Sequence, residues 1–408
     1  MIAAVMFASS GYAADTQQWV GSWAASPQPI WAPDFFLPIA IPRALRDQTV
    51  RQIARLSLGS HRVRVAFSNE YGSSILHIGE ARVALAGSDG KIDASTSKPL
   101  TFGGQANANI PPGAPMISDP VDLEVAPLGS VAVSLYFPDI TPITTWHQEG
   151  VQSTSFADGN VTGAADLKAT ITATSRIFMS EILVDAPAGS HAVVAFGDSI
   201  TDGTASKADA NHRWPDFLAE RLIGAGAKLS VVNEAISGDR ILRDRMGDNA
   251  LARFDRDVLS QPNVETIVLM MGINDIGWPG SLLSPKTEPA PSAEDIIVGY
   301  KQLISRAHDH NIRIVAATLT PFDDAFSGFA PLHGYYSVEK EAKRQTVNAF
   351  IRSGAFDGVI DFDATVRKAD KKTEVQADFD SGDHLHPNDA GYKAMADSID
   401  LSVLGVKK

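Results

Sequence analysis

Hydrophobic and polar positions along the chain follow two different periods, and the change between them falls close to residue 190. Ahead of it, short runs at residues 50–58, 62–68, 75–85, 121–125 and 131–137 are separated by Gly-, Pro- and Asp-containing turns, and Arg62-Val63-Arg64-Val65-Ala66-Phe67-Ser68 alternates with period two. Side chains that alternate across a pleated surface belong to half-buried antiparallel strands. About eight such strands predict an all-β sandwich over residues 15–187. Beyond it, apolar runs at 191–196, 228–233, 265–272, 312–320 and 358–362 alternate with amphipathic segments. Trp214, Phe217, Leu218 and Leu222 share one helical face, and Ser292 with Asp295 forms a capping box ahead of a helix with Ile296, Tyr300, Leu303 and Ala307 on its inner side. Apolar strands alternating with helices predict an α/β half at 188–408, a parallel sheet covered on both faces. Ala-Pro-Ala-Gly-Ser at 186–190 marks the join.

Composition narrows the function classes. With 48 acidic against 35 basic residues, the surface repels phosphate backbones, so nucleic acid is not an expected partner. The chain has no cysteine, which removes disulfides, thiolate metal sites and cysteine nucleophiles together. Residues 2–8 are apolar and lead into small residues around Ala13 and Ala14, the pattern of a cleavable export signal over residues 1–14. A secreted or periplasmic location is therefore expected, although the first basic residue is Arg43 and the usual positive start is missing. No other run reaches the roughly 18 apolar residues of a membrane span.

Ligands of an open parallel sheet bind beyond the carboxyl ends of its strands. The first apolar run of the α/β half ends in Gly197-Asp198-Ser199-Ile200, and the third in Gly272-Ile273-Asn274-Asp275. Asp383-His384-Leu385-His386-Pro387-Asn388 precedes the last helix, with Pro387 suited to its first position. A serine, a histidine and a carboxylate thus have reason to meet at one sheet edge. Each piece alone has a plainer reading: Asp198 or Ser199 as a helix cap, Gly238 as a turn, Asn274 bonding its own loop, His386 as a helix-entry residue.

Together, Gly197-Asp198-Ser199-Ile200, the glycine of Ser237-Gly238-Asp239, Gly272-x-Asn274-Asp275 and Asp383-x-x-His386 resemble the SGNH or GDSL hydrolases, serine esterases and lipases on a flavodoxin-like sheet. The resemblance covers about 220 residues, from 190 onward. It implies Ser199 as nucleophile, His386 as general base and Asp383 as its orienting acid. It also implies an oxyanion hole from the backbone N–H groups of Ser199 and Gly238 and the side-chain amide of Asn274. Chemistry agrees with each role: a serine hydroxyl needs a base to take its proton, a carboxylate stabilises the imidazolium, and an amide donates where negative charge develops. A helix N-terminus at His386 would oppose the imidazolium that Asp383 favours. Trp19-Val20-Gly21-Ser22-Trp23-Ala24-Ala25-Ser26-Pro27 is similar to the opening of a bacterial two-domain subgroup, whose β domain would be jelly-roll-like.

Asp198 and Asp275 read as capping or supporting groups, and His384 as a loop residue or substrate contact. Two long insertions, 276–291 and 321–336, carry Trp278, Leu282 and Tyr335 among the residues expected to touch substrate; Trp31, Trp146 and His147 are the candidates from the β half. His308 and His310, two apart on a helix, diverge rather than chelate, and Walker, Gly-x-Gly-x-x-Gly and His-Glu-x-x-His patterns are missing. The expectation is a site needing no cofactor and no metal. It is that of an exported carboxylic-ester hydrolase acting through an acyl-serine on short-chain acyl or aryl esters, including O-acetylated carbohydrate. The rivals are an acyltransferase with the same residues and a non-catalytic carbohydrate-binding surface protein.

Overall fold

The computed structural model describes residues 18–32, 35, 37–87 and 90–406. The expected export signal, residues 1–14, lies outside the described residues.

The first half is built from antiparallel strands in two main sheets. The longer strands are β1 (Gln18–Ala24), β2 (Gln48–Arg55), β3 (Ser60–Ser68), β4 (Glu80–Leu85), β5 (Val121–Val125), β6 (Ser130–Phe137), β7 (Thr154–Asp158) and β8 (Met179–Ala186). One sheet runs β1, β8, β3, with β5 and the short strand Pro115–Ile117 both pairing β3. The other runs β7, β2, β6, β4, extended at its edges by Ile171–Ala173 and Lys98–Pro99. Val63, Val65 and Phe67 on β3 and Val131, Val133, Leu135 and Phe137 on β6 are fully buried, as their alternation predicts. The strands outnumber the eight expected because pieces of two or three residues are too short to carry a period. The run at 75–85 is in fact two strands, Leu76–Ile78 and β4, parted by Gly79.

The second half is a five-stranded sheet of β9 (His191–Gly197), β10 (Leu229–Asn233), β11 (Val264–Met270), β12 (Arg313–Ala317) and β13 (Gly358–Ile360). All neighbours are parallel, in the order β10, β9, β11, β12, β13. This is the flavodoxin-like 2-1-3-4-5 order, with its switch point between β9 and β11. The helices are α1 (Ser199–Asp202), α2 (Trp214–Gly224), α3 (Ala250–Phe254), α4 (Ile273–Gly277), α5 (Ala293–Asp309), α6 (Val338–Ile351), α7 (Phe362–Val366) and α8 (Asp389–Ser398). The capping box of Ser292 and Asp295 opens α5, and Trp214, Leu218 and Leu222 form the buried stripe of α2. His308 bonds Asp357 at 2.9 Å, while His310 Nδ1 meets the Arg306 carbonyl.

The two halves are tied together by buried polar contacts. Ser57 Oγ accepts from Val231 N–H of β10, occupying a donor on that edge strand. Ser26 donates to Glu234 at 2.6 Å, and both Gln28 and Trp31 donate to the Met246 carbonyl. Where β1 approaches β10 the packing is close: a Cβ on Gly21 would stand 2.8 Å from Glu181 Oε1, 2.9 Å from Gln261 Oε1 and 3.2 Å from Val232, so those side chains would have to shift.

The two oxygens that meet at Gly21, Glu181 Oε1 and Gln261 Oε1, are enclosed without a donor among the described residues. Burial pushes the Glu181 carboxyl up to about 8. A carboxyl raised on folding gives stability that is complete below its unfolded pKa of about 4.3 and is lost as pH climbs through the folded value. Glu181→Gln should therefore melt above the parent protein at pH 8.5, with the gap closing toward pH 5. Thermal melts across that range check this, and parallel curves for the two proteins would contradict it.

Candidate active site

Strand β9 ends at Gly197, where a Cβ would fall 2.2 Å from Thr201 Oγ1 and 2.6 Å from the Met270 carbonyl. Only glycine lets the chain turn here into α1 beside β11. The Asp198 side chain caps that helix by accepting from Ile200 N–H at 3.1 Å. Ser199 is then the first helical residue, with a backbone N–H that has no acceptor inside the helix. Asp198 is fully enclosed, and burial raises its carboxyl to about 7.

The residues expected from separate parts of the sequence come together at this point. Ser199 Oγ lies 2.8 Å from His386 Nε2, and His386 Nδ1 lies 2.6 Å from Asp383 Oδ2. Asp383 Oδ1 accepts the backbone N–H groups of His386 at 2.8 Å and Leu385 at 2.9 Å, so the carboxylate is held at both oxygens. Burial alone would raise Asp383, but the His386 hydrogen bond and charge, with these N–H groups, hold it well below the usual carboxylate range.

One local expectation is corrected. Helix α8 starts at Asp389 with Asn388 as its cap, bonded to Gly391 N–H at 3.0 Å, so Pro387 precedes the cap and is not the first helical residue. Asparagine takes the cap because its side chain satisfies an open helix donor, which the proline ahead of it cannot do. His386 therefore sits two residues before the cap. His384 faces away, bonded to Asp380 at 2.5 Å.

Gly238 has φ +76°, and a Cβ there would stand 2.2 Å from Met246 Sδ and 3.0 Å from Trp278. Ser237, next to it, donates its N–H and its hydroxyl to Asp202 Oδ2, each at 2.8 Å. Asn274 stands on α4. Trp278 Nε1–H and the Tyr335 hydroxyl both donate to its Oδ1 at 2.8 Å. Since an indole nitrogen can only donate, the oxygen side of the amide is fixed. One Nδ2 hydrogen goes to the Asp239 carbonyl at 2.9 Å, and the second has no acceptor among the described residues, beside the cavity that Asn274 lines. Asp275 accepts from Ile241 and Leu242 N–H, fastening α4 to the loop that carries Gly238. Its carboxyl, enclosed by this packing, is raised to about 6.

A cavity of about 510 Å³ opens over Ser199, Gly238, Asn274 and His386. Met246, Leu283, Phe326, Phe329 and Leu332 give it an apolar side. Of the three substrate contacts expected on the insertions, Trp278 and Tyr335 line it but spend their polar atoms on Asn274. Leu282 does not line it; it is 60% exposed, and its neighbour Leu283 takes the inward position. The Leu282 N–H bonds the Pro331 carbonyl, which fixes the turn with Leu282 outward. From the β half, Trp31 and Trp146 pack against each other at 5.1 Å away from the cavity, while His147 bonds Asp202 at 3.0 Å. Sequence reasoning missed Gln148 and Glu149, which line the cavity from the β half.

The profile of the GDSL-like lipase/acylhydrolase family matches residues 193–399, slightly more than half of the chain, from β9 into α8. The chain belongs to this family. The chain is also similar, over about half of its length, to solved structures. A GDSL-like lipase from Bacteroides thetaiotaomicron is 16% identical, with 52% of this chain and 88% of that one covered at a TM-score of 0.38. A carbohydrate acetylesterase family member from Sinorhizobium meliloti is 19% identical, with 53% and 100% covered at 0.41. The acetyl xylan esterase AlAXEase is 20% identical, with 51% and 96% covered at 0.36. No curated protein matches the sequence.

Because the Tyr335 hydroxyl orients Asn274, Tyr335→Phe should lower kcat for ester hydrolysis by about 10-fold and leave KM near its parent value, as expected when a hydrogen bond matters only to the transition state. Steady-state kinetics check this. A rise in KM at constant kcat would instead make Tyr335 a ground-state substrate contact.

Proposed function

We propose that this GDSL-family chain is an exported carboxylic-ester hydrolase that works through an acyl-serine intermediate on short-chain acyl or aryl esters, O-acetylated carbohydrate among them. The observation that carries the proposal is the hydrogen-bond relay from Asp383 through His386 to Ser199 at the floor of an open cavity.

In this reading, Ser199 Oγ attacks the ester carbonyl as its proton passes to His386 Nε2. The negative charge that forms on the carbonyl oxygen is met by the N–H groups of Ser199 and Gly238 and by the free Nδ2 hydrogen of Asn274. Asp383 holds the imidazolium through Nδ1, and His386 then gives the proton to the departing alkoxide. Water repeats the sequence against the acyl-serine: its proton goes to His386, its oxygen to the acyl carbon, and Ser199 recovers its proton as the carboxylic acid leaves. Support for an acyl or aryl group is the apolar part of the lining, Met246, Leu283, Phe326, Phe329 and Leu332.

Initial rates on 4-nitrophenyl esters of rising acyl length, and on acetylated sugars, test the proposal. Rates should peak at two to about four acyl carbons. Ser199→Ala should drop to the residual level of roughly 10³ to 10⁴ over water that a triad-deficient site retains. Asn274→Ala should lose about 10² to 10³ in kcat. Parent-level hydrolysis by Ser199→Ala, or a peak at long acyl chains, would overturn it.

A further inference from the structure

The strand Thr145–His147 of the β half runs directly into Gln148 and Glu149, and both line the cavity that holds Ser199 and His386. The segment is firmly held. His147 Nδ1 donates to the Ser26 carbonyl at 3.0 Å while Nε2 meets Asp202. Gln28 Oε1 accepts from Gln148 N–H at 2.8 Å, and Gln28 in turn donates to Met246 of the GDSL half. Glu149 is thus placed in the cavity by a rigid support.

Among the described residues its side chain has one hydrogen bond, a 3.5 Å contact from Gln148 Nε2. A carboxylate that two oxygens make a multiple acceptor is left largely unfilled, beside a space large enough for a ligand. Burial first, then the negative charge of Asp202, raise the Glu149 carboxyl above its usual range, with His386 and His147 opposing. A ligand that donates hydrogen bonds would relieve that cost. The lining mixes apolar and polar groups: Leu283, Phe326, Phe329 and Leu332 are apolar, while Gln148, Glu149, Thr204 and Ser237 bring polar atoms, Ser237 and His147, the neighbour of Gln148, being bonded to the same Asp202 carboxylate.

We propose that Glu149, with Gln148, forms a subsite for the alcohol part of the ester and binds free hydroxyl groups, so that the leaving alcohol is a polyhydroxy compound such as a sugar. The inference rests on the ester-hydrolase reading above and adds to it the recognition of the alcohol. Hydroxyls fit better than an ammonium group. The Gln148 amide and the Thr204 and Ser237 hydroxyls, 3.1 Å apart, both donate and accept, as hydroxyls do.

The test compares kcat/KM on glucose monoacetate, 4-nitrophenyl acetate and acetylcholine for the full-length protein and its Glu149→Ala and Glu149→Gln variants, with Ser199→Ala as background. Glu149→Ala should lose about 10- to 100-fold on the sugar ester, the scale of a hydrogen bond to a charged group, and stay within about twofold on the other two. Glu149→Gln, of nearly the same shape and keeping one acceptor, should recover part of the loss. Equal losses on all three esters in Glu149→Gln, no loss on any, a loss confined to acetylcholine, or a parent protein inert on the sugar ester would each overturn the subsite. Parent-level hydrolysis by Ser199→Ala would instead overturn the ester-hydrolase reading, so the two failures are distinguishable.

Discussion

The buried carboxylate of Asp202 accepts from Ser237 on one oxygen and meets His147 on the other, and through these contacts it sets the position of three segments at once. It lies on α1, the helix that begins with Ser199. Ser237 leads into Gly238, and His147 belongs to the β half. A charge this deeply enclosed must be matched on both oxygens or it destabilises the fold by several kcal/mol. The constraint therefore fixes the spacing between the serine, the loop bearing Gly238 and the β half. The β-rich half thereby supplies Gln148 and Glu149 to the lining of the cavity that holds Ser199 and His386.

A second layer of support surrounds the amide of Asn274. Trp278 and Tyr335 come from different insertions, yet both spend a polar hydrogen on the same oxygen, leaving the nitrogen side for the Asp239 carbonyl and the cavity. In the proposed mechanism such preorganisation matters more than the energy of any one bond, because a donor already aimed at a developing charge would need no rearrangement during the reaction. Asp275 and Asp198 do comparable work one step further out, holding a loop and a helix start.

The parts legible in the sequence were those with short, stereotyped spacing. Gly197-Asp198-Ser199, Gly272-x-Asn274-Asp275 and Asp383-x-x-His386 each combine a turn requirement with a residue type suited to the proposed chemistry; the alternation of apolar runs and helices predicts a parallel sheet, while its flavodoxin-like order follows from the family resemblance alone. Contacts made across the two halves had no such signature. Glu149 is 50 residues from Ser199 and 237 from His386 in the chain, and nothing local marks its carboxylate as facing either. Leu282 and Leu283 are indistinguishable by type, and one backbone bond to Pro331 decides which turns outward. The start of α8 was misplaced because a proline and an asparagine side by side both suit a helix entrance, and the side-chain cap of Asn388 wins.

In the proposed mechanism Ser199 carries the acyl group. Intact-protein mass spectrometry after rapid acid quenching of a 4-nitrophenyl ester reaction, followed by peptide mapping, tests it most directly. A mass increase of one acyl group is expected on the peptide containing Ser199, absent from the Ser199→Ala protein. An adduct on another residue, or sustained turnover by the Ser199→Ala protein, would contradict it.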